Sequence, residues 1–373
     1  MKRTYLFLLP ILLLVIMIPA AADDQITYTS QPDSAFVFLN NVVYVQDVIS
    51  IPGGADVTVN LPTQIFTDTL LLYENDQRVP GYRIQNTGAG PAVTWTSGPA
   101  ESVLEVRLEY LMTGISWRPK YDMWLGDAEP NAVSFDFFAE IRNSALPLNG
   151  VDIQLVAGRV DTNEVVDELA AITTNQMIAG FENPNQLPAG GSVDIQHIYP
   201  IGTVDADLGD TLYTRILQEE FSARRLLVWN AQTDREVTVI YKVRNESDMP
   251  LVEGVVRSYQ NGILLASDFI EETPSAGEGS ITVGNLSSVR VERKQSQERV
   301  GDDITRFEVE LSLTSFSEET VEIEVVDRFP PDGFEFRYSD EPQREGNNLL
   351  RWVVTLEPGQ STNIVFEFKV ETG

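Results

Sequence analysis

Enzymatic chemistry usually shows in a sequence as a nucleophile with a base beside it, or as metal ligands at fixed spacing. This chain offers few such parts. It has a single histidine, His197 in "VDIQHIYP", and no cysteine. A Ser-His-Asp triad would rest on that one imidazole, and an H-E-x-x-H zinc site needs two. No G-x-S-x-G elbow occurs, no lysine follows a serine at S-x-x-K spacing, and the phosphate-cradling glycine motifs are missing. The lack of cysteine removes thiolate nucleophiles, thiolate metal sites and disulfides. His197 reads as a surface residue rather than a base. No catalytic, cofactor-binding or metal residue is assigned, and no cofactor is expected.

Carboxylates are the one abundant reactive group, with 56 acidic against 26 basic residues and a formal net charge of −30. A glycoside hydrolase needs only two of them, correctly spaced. Most, however, stand at the outward positions of alternating segments, as solvated charges do. In "DADLGD", Asp205, Asp207 and Asp210 have the oxygen chemistry of a calcium loop, but the glycine and the closing glutamate of the EF-type pattern are out of place. A polar turn is the simpler reading. The acidic field repels phosphate backbones and anionic headgroups, so neither nucleic acid nor an anionic membrane surface is expected as partner.

Aromatic residues concentrate in "GISWRPKYDMWL" (114–125). Trp117, Tyr121 and Trp124 have the chemistry of a sugar-stacking platform, and Trp117 and Tyr121 equally that of bulky core anchors whose polar atoms find partners inside. Pro119 is expected to break the strand ladder there and to hold Arg118 extended. Packing is the preferred reading for this stretch.

The elements that would carry these residues are strands. "SVLEVRLEYL", "SFDFFAEIR", "REVTVIYKVR", "TRFEVELSL" and "NIVFEFKV" alternate apolar and charged side chains, the mark of half-buried antiparallel strands. "LYTRILQEEFSARRLLVWN" (212–230) fits helix or strand and is taken as strand, like its neighbours. Asn149-Gly150 and Asn261-Gly262 are read as tight hairpin turns. One helix is expected, beginning with the capping-box pair Asp161 and Glu164 and stopping at Gly180, followed by a long loop over 181–210. Asn245 and Asn285 each open an N-x-S sequon.

The fold class is therefore all-β: tandem antiparallel β-sandwich domains, with a short helix and long loop inserted in the central one. The segments are a signal peptide (1–22), an N-terminal β domain (23–112), a central β domain (113–301) carrying the insertion 161–210, and a C-terminal β-sandwich module (302–373). Lys2 and Arg3, the apolar run Leu6 to Ile18 and the Ala20-Ala21-Ala22 site make up the leader, with cleavage before Asp23 and no anchor left behind.

"LEYLMTGISWRPKYDMWL" contains the W-x-P-x-Y signature of domain-of-unknown-function family 4139, which includes the mucoidy-inhibitor-A-like proteins. "AEIRNSALPLNGVDIQLVAG", "VRNESDMPLVEGVVRSYQNGILLASDFIEET" and "ITVGNLSSVRVERK" continue the likeness, as do the "VEIEVVDRFPPDGFEF" and "LLRWVVTLEPGQSTNIVFEFKV" stretches. The chain thus resembles the family over roughly residues 100–373, outside the insertion. The resemblance implies an exported β-sandwich protein without established catalytic residues, in which Trp117, Pro119 and Tyr121 determine the fold. Members often carry a coiled coil ahead of this region, and no heptad run occurs here. The expectation is an exported, non-enzymatic protein that is extracellular, periplasmic or at the cell surface and binds an envelope protein or polysaccharide. The alternatives are a carboxylate-dependent glycoside hydrolase and a calcium-dependent adhesive module.

Overall fold

The computed structural model describes residues 25–99, 103–126, 131–160, 191–193, 196–346 and 348–371. The leader 1–22 and the helix expected over 161–180 lie outside the described residues. Among these, one three-residue 3-10 turn, Thr67–Thr69, is the sole helical element, and the rest is strand and connection. No described helix is long and apolar enough to cross a membrane. The all-β reading holds, and it follows from alternation: strands such as Val237–Arg244 bury every second side chain and leave the others half-buried or exposed.

Two compact units divide the chain, one reaching to Asp33 and resuming over Val45–Leu111, the other formed by Ser34–Tyr44 and everything from Met112 onward. In the first, Gln25–Thr29 pairs parallel with Asp56–Asn60, and Gly90–Thr96 and Arg83–Thr87 extend that sheet. Its interior holds a polar network. The Asp47 carboxylate is buried, accepting from Ser30 Oγ at 2.6 Å and from the Gln31 amide at 2.9 Å, while Ser30 Oγ also meets the Tyr110 hydroxyl at 2.9 Å.

In the second unit, the strands run in the order Ile263–Ile270, Gly254–Gln260, Ile115–Leu125, Ala132–Asn143 and Thr211–Asn230, then Val321–Arg328, Leu349–Leu356 and Gln343–Glu345. The 20-residue strand Thr211–Asn230 pairs with Ala132–Asn143 through its first half and with Val237–Arg244 through its second. The strand reading of 212–230 is thus correct. Near the C-terminus, Trp352 meets Phe366 at 5.7 Å, bringing the strand Leu349–Leu356 against Ser361–Glu371.

Three local readings change. Asn149-Gly150 is no hairpin: both lie inside the strand Leu148–Ala157, where the register against Gln196–Ala206 slips between Leu148 and Val151, and Gly150 takes φ +67° as a bulge. The Asn-Gly pair supplies a positive φ in either setting, so the dipeptide alone does not separate turn from bulge. Asn261-Gly262, with φ of 51° and 75°, does close the two-residue hairpin between Gly254–Gln260 and Ile263–Ile270. The loop expected over 181–210 contains the strands Gly191–Val193 and Gln196–Ala206, the second paired with Leu148–Ala157. Its Asn, Pro and Gly content masked a buried pair of residues, Ile198 and Tyr199.

Pro119, finally, does not break the ladder. It sits in mid-strand opposite Ala139, and the parallel pairing with Gly254–Gln260 begins only at Lys120. A missing N–H is tolerated where one flank of the ladder has not yet started. The neighbouring Gly254 is required by this packing: a Cβ there would come within 2.9 Å of Pro119 Cγ and 3.1 Å of Tyr121 Cε2.

Asn245 holds the corner that follows Val237–Arg244. Its side chain is fully buried, donating to the carbonyls of Met249, Thr273 and Pro274 and accepting from the Ser247 amide and hydroxyl. The amide nitrogen that a glycan would need is closed off, whereas Asn285 is exposed. Expression in a glycosylating eukaryotic host should therefore modify Asn285 alone, which peptide mass spectrometry would read directly.

Candidate functional site

Alternation along Ile115–Leu125 sends the aromatic stretch to two different places. Trp117, Pro119, Tyr121, Met123 and Leu125 point inward; Ser116, Arg118, Lys120, Asp122 and Trp124 point out. Trp117 is 1% exposed and its indole N–H donates to the Val156 carbonyl at 3.3 Å. Tyr121 is fully buried and its hydroxyl donates to the Val252 carbonyl at 2.7 Å. They belong to a run of rings, Trp117, Tyr199, Phe137, Tyr121, Phe135 and Phe221, with successive centroids 4.7–5.9 Å apart. The packing reading is right for these two. Trp124, by contrast, is 41% exposed and stacks on Tyr259 across the parallel pair at 4.4 Å and 18°.

The outer face around Trp124 is unlike the acidic faces elsewhere. On the hairpin beside it Val255, Ile263, Leu264, Leu265 and Phe269 are all exposed, and the registers set Phe269 opposite Val255 and Leu264 opposite Tyr259. Arg257 lies among them, paired through Nε and Nη2 with the two carboxylate oxygens of Asp122 at 2.9 and 3.0 Å. An apolar patch of this extent, containing Trp, Tyr and a neutralised Arg, has the composition of an interface core. Its signal in the sequence is the Ile-Leu-Leu run after Gly262, where an alternating strand would place a polar residue.

Across Ala132–Asn143 the same face turns polar. Glu140, 1% exposed, is bound by Lys120, by Arg142 at 2.6 and 2.7 Å and by the Tyr213 hydroxyl at 3.1 Å. Burial pushes its carboxyl up, but hydrogen bonds from Lys120, Tyr213 and Arg142 outweigh this and hold it below the usual range. Arg215 lies over the Phe138 ring at 5.2 Å and bonds Gln218. Arg118 is exposed and has no hydrogen-bond or ion-pair partner among the described residues.

The remaining sequence candidates are dispersed. Asp205 Oδ1 accepts from the Gly150 amide at 2.7 Å, and Asp210 Oδ2 accepts from the Asp207 amide at 2.9 Å, closing the polar turn. No three acidic, histidine or cysteine side chains among the described residues are placed to hold a metal ion. Millimolar calcium should accordingly leave the melting temperature unchanged, since a ligand of the folded state alone would raise it. His197 is half-buried in a strand with its ring on the edge of Tyr199 at 4.6 Å, and burial lowers its pKa. A groove of about 410 Å³ near the C-terminus contains Asp340, Glu341 and Trp352, but the indole N–H is already spent on the Asp340 carbonyl. In the same groove, Arg351 is held by Glu345 and Glu324.

No curated protein matches the chain at a significant level. The family described as Domain of unknown function (DUF4139) matches residues 106–372, a span that includes the aromatic core, the stacked Trp124–Tyr259 pair and the apolar hairpin. With well over half of its length matched, the chain belongs to that family.

Proposed function

We propose that this is an exported protein without enzymatic activity, acting at or outside the cell envelope by docking another protein on the apolar face of the hairpin 254–270. The observation that carries the reading is the exposure of Val255, Leu264 and Phe269 on the face of the stacked Trp124 and Tyr259, with Ile263 and Leu265 also exposed near the hairpin tip. Apolar area of this kind is stabilised when covered, and aromatic residues with an adjacent arginine are the usual anchors of such cover. A second copy is a poor occupant, because dimerisation would oppose two chains each of net charge −30. A different protein with an apolar surface fits better. The basic-apolar-small leader of residues 1–22 supports export.

A photo-crosslinker placed at Ser267, with Leu264→Glu as the variant, tests this in the native envelope. The expected result is one discrete crosslinked partner that disappears in the variant while the melting temperature stays put. A crosslink pattern indifferent to Leu264→Glu, or the absence of any adduct, would overturn the docking role.

A further inference from the structure

We propose that the opposite end of this face, formed by Arg118, Lys120, Arg142, Arg215 and Tyr213, is a separate binding site for an acidic polysaccharide. The cations take the uronate carboxylates, and the exposed tyrosine ring takes a sugar face. Four cations stand on three neighbouring strands, and in their rows the registers place a single carboxylate, Glu140. That is a local excess of positive charge in a chain whose acids outnumber its bases by 56 to 26. The next row of the register holds two acids: Asp122, which is paired with Arg257, and Asp136, which is buried.

The arrangement is built rather than incidental. Glu140 is 1% exposed and lies beneath the cations, fixing Lys120 and Arg142 while presenting almost nothing to solvent itself. Each keeps further N–H groups for a second anion. Arg118, opposite Glu140 in the register, finds that carboxylate already occupied and is left with no partner among the described residues. Arg215 lies over the Phe138 ring and bonds Gln218 rather than an acid. Tyr213, 62% exposed, is anchored through its hydroxyl to Glu140 and flanked by the Lys120 ammonium at 5.6 Å from its ring.

Cations pre-positioned around a rigid ring suit a carboxylated sugar, which offers an anion and an apolar face together; an acidic peptide offers only the anion. At physiological ionic strength the Debye length of about 8 Å weights the field at this patch toward its own cations.

Calorimetric titration of the mature protein with polygalacturonate, with neutral dextran and poly-L-glutamate as comparisons, tests the site. Polygalacturonate should bind and the other two should not. Arg118→Ala, which removes no internal contact, should weaken binding about tenfold without moving the melting temperature. Tyr213→Phe should keep most of the affinity and Tyr213→Ala lose it. Glu140→Gln, whose amide oxygen can still accept from Lys120 or Arg142, should tighten binding about tenfold by removing the negative charge beneath the cations, an effect that a purely structural carboxylate would not give. Leu264→Glu should leave it unchanged, which separates this site from the docking face. Failure of polygalacturonate to bind, equal binding of poly-L-glutamate, or indifference to both Arg118→Ala and Glu140→Gln would overturn the assignment.

Discussion

Trp117→Ala should destabilise the protein by about 3–5 kcal/mol, while Trp124→Ala, seven residues along the same strand, should cost under about 1 kcal/mol. The contrast tests the assignment of faces. Trp117 is buried against Tyr199, with its indole N–H on the Val156 carbonyl, so truncation opens a cavity at the end of the aromatic run. Deleting Trp124 exposes the Tyr259 ring to water and leaves no void. Urea unfolding followed by circular dichroism would read both. Similar losses for the two would mean that the side chains of 115–125 do not alternate as described.

A second large effect lies in the first unit. Burial is the main cause that raises the Asp47 carboxyl from 3.8 to about 6; bonds from Ser30 and the Gln31 amide pull it down, and Asp33 adds to the rise. The folded protein therefore keeps this proton where the unfolded chain has lost it. The group's stabilising contribution is complete below about pH 4 and is lost as pH climbs through about 6, a total on the order of 3 kcal/mol. Asp47→Asn cannot lose a proton. Its stability relative to the parent should improve by about 3 kcal/mol between about pH 4 and pH 7. Paired unfolding curves at the two pH values check this, and a difference that stays constant would show that Asp47 titrates as an ordinary surface acid.

Strand content was legible because the physics is local. Alternation in 237–244 or 304–315 is decided by which neighbour meets water, and it can be counted along the chain. Aromatic placement was only half legible. The W-x-P-x-Y residues at 117, 119 and 121 share one parity and go inward together; Trp124 has the other parity, and counting from Trp117 would have placed it outside. What could not be read is what depends on partners distant in sequence. Tyr213 meets Glu140, and Arg257 meets Asp122, through registers that only the assembled sheet sets. Ser34–Tyr44 belongs with the second unit, although nothing in "SAFVFLNNVVY" distinguishes it from the segments around it. The Gln196–Ala206 strand was hidden because polar and turn-forming residues dominate its flanks, and its Tyr199 joins the core through contacts with Trp117 and Phe137.

The long strand Thr211–Asn230 has a kinetic corollary. One of its edges is laid on residues made some eighty positions earlier, and its last three residues await a parallel neighbour, Val321–Arg328, that is synthesised about a hundred positions later. Closing such distant loops precedes any reward from pairing, so acquisition of the native state is expected to be slow, in the millisecond-to-second range or beyond. Throughout that delay the half-finished sheet presents an unpaired border, and the exposed charges of this strand, Glu219, Glu220, Arg224 and Arg225, make that border a poor template for neighbouring chains.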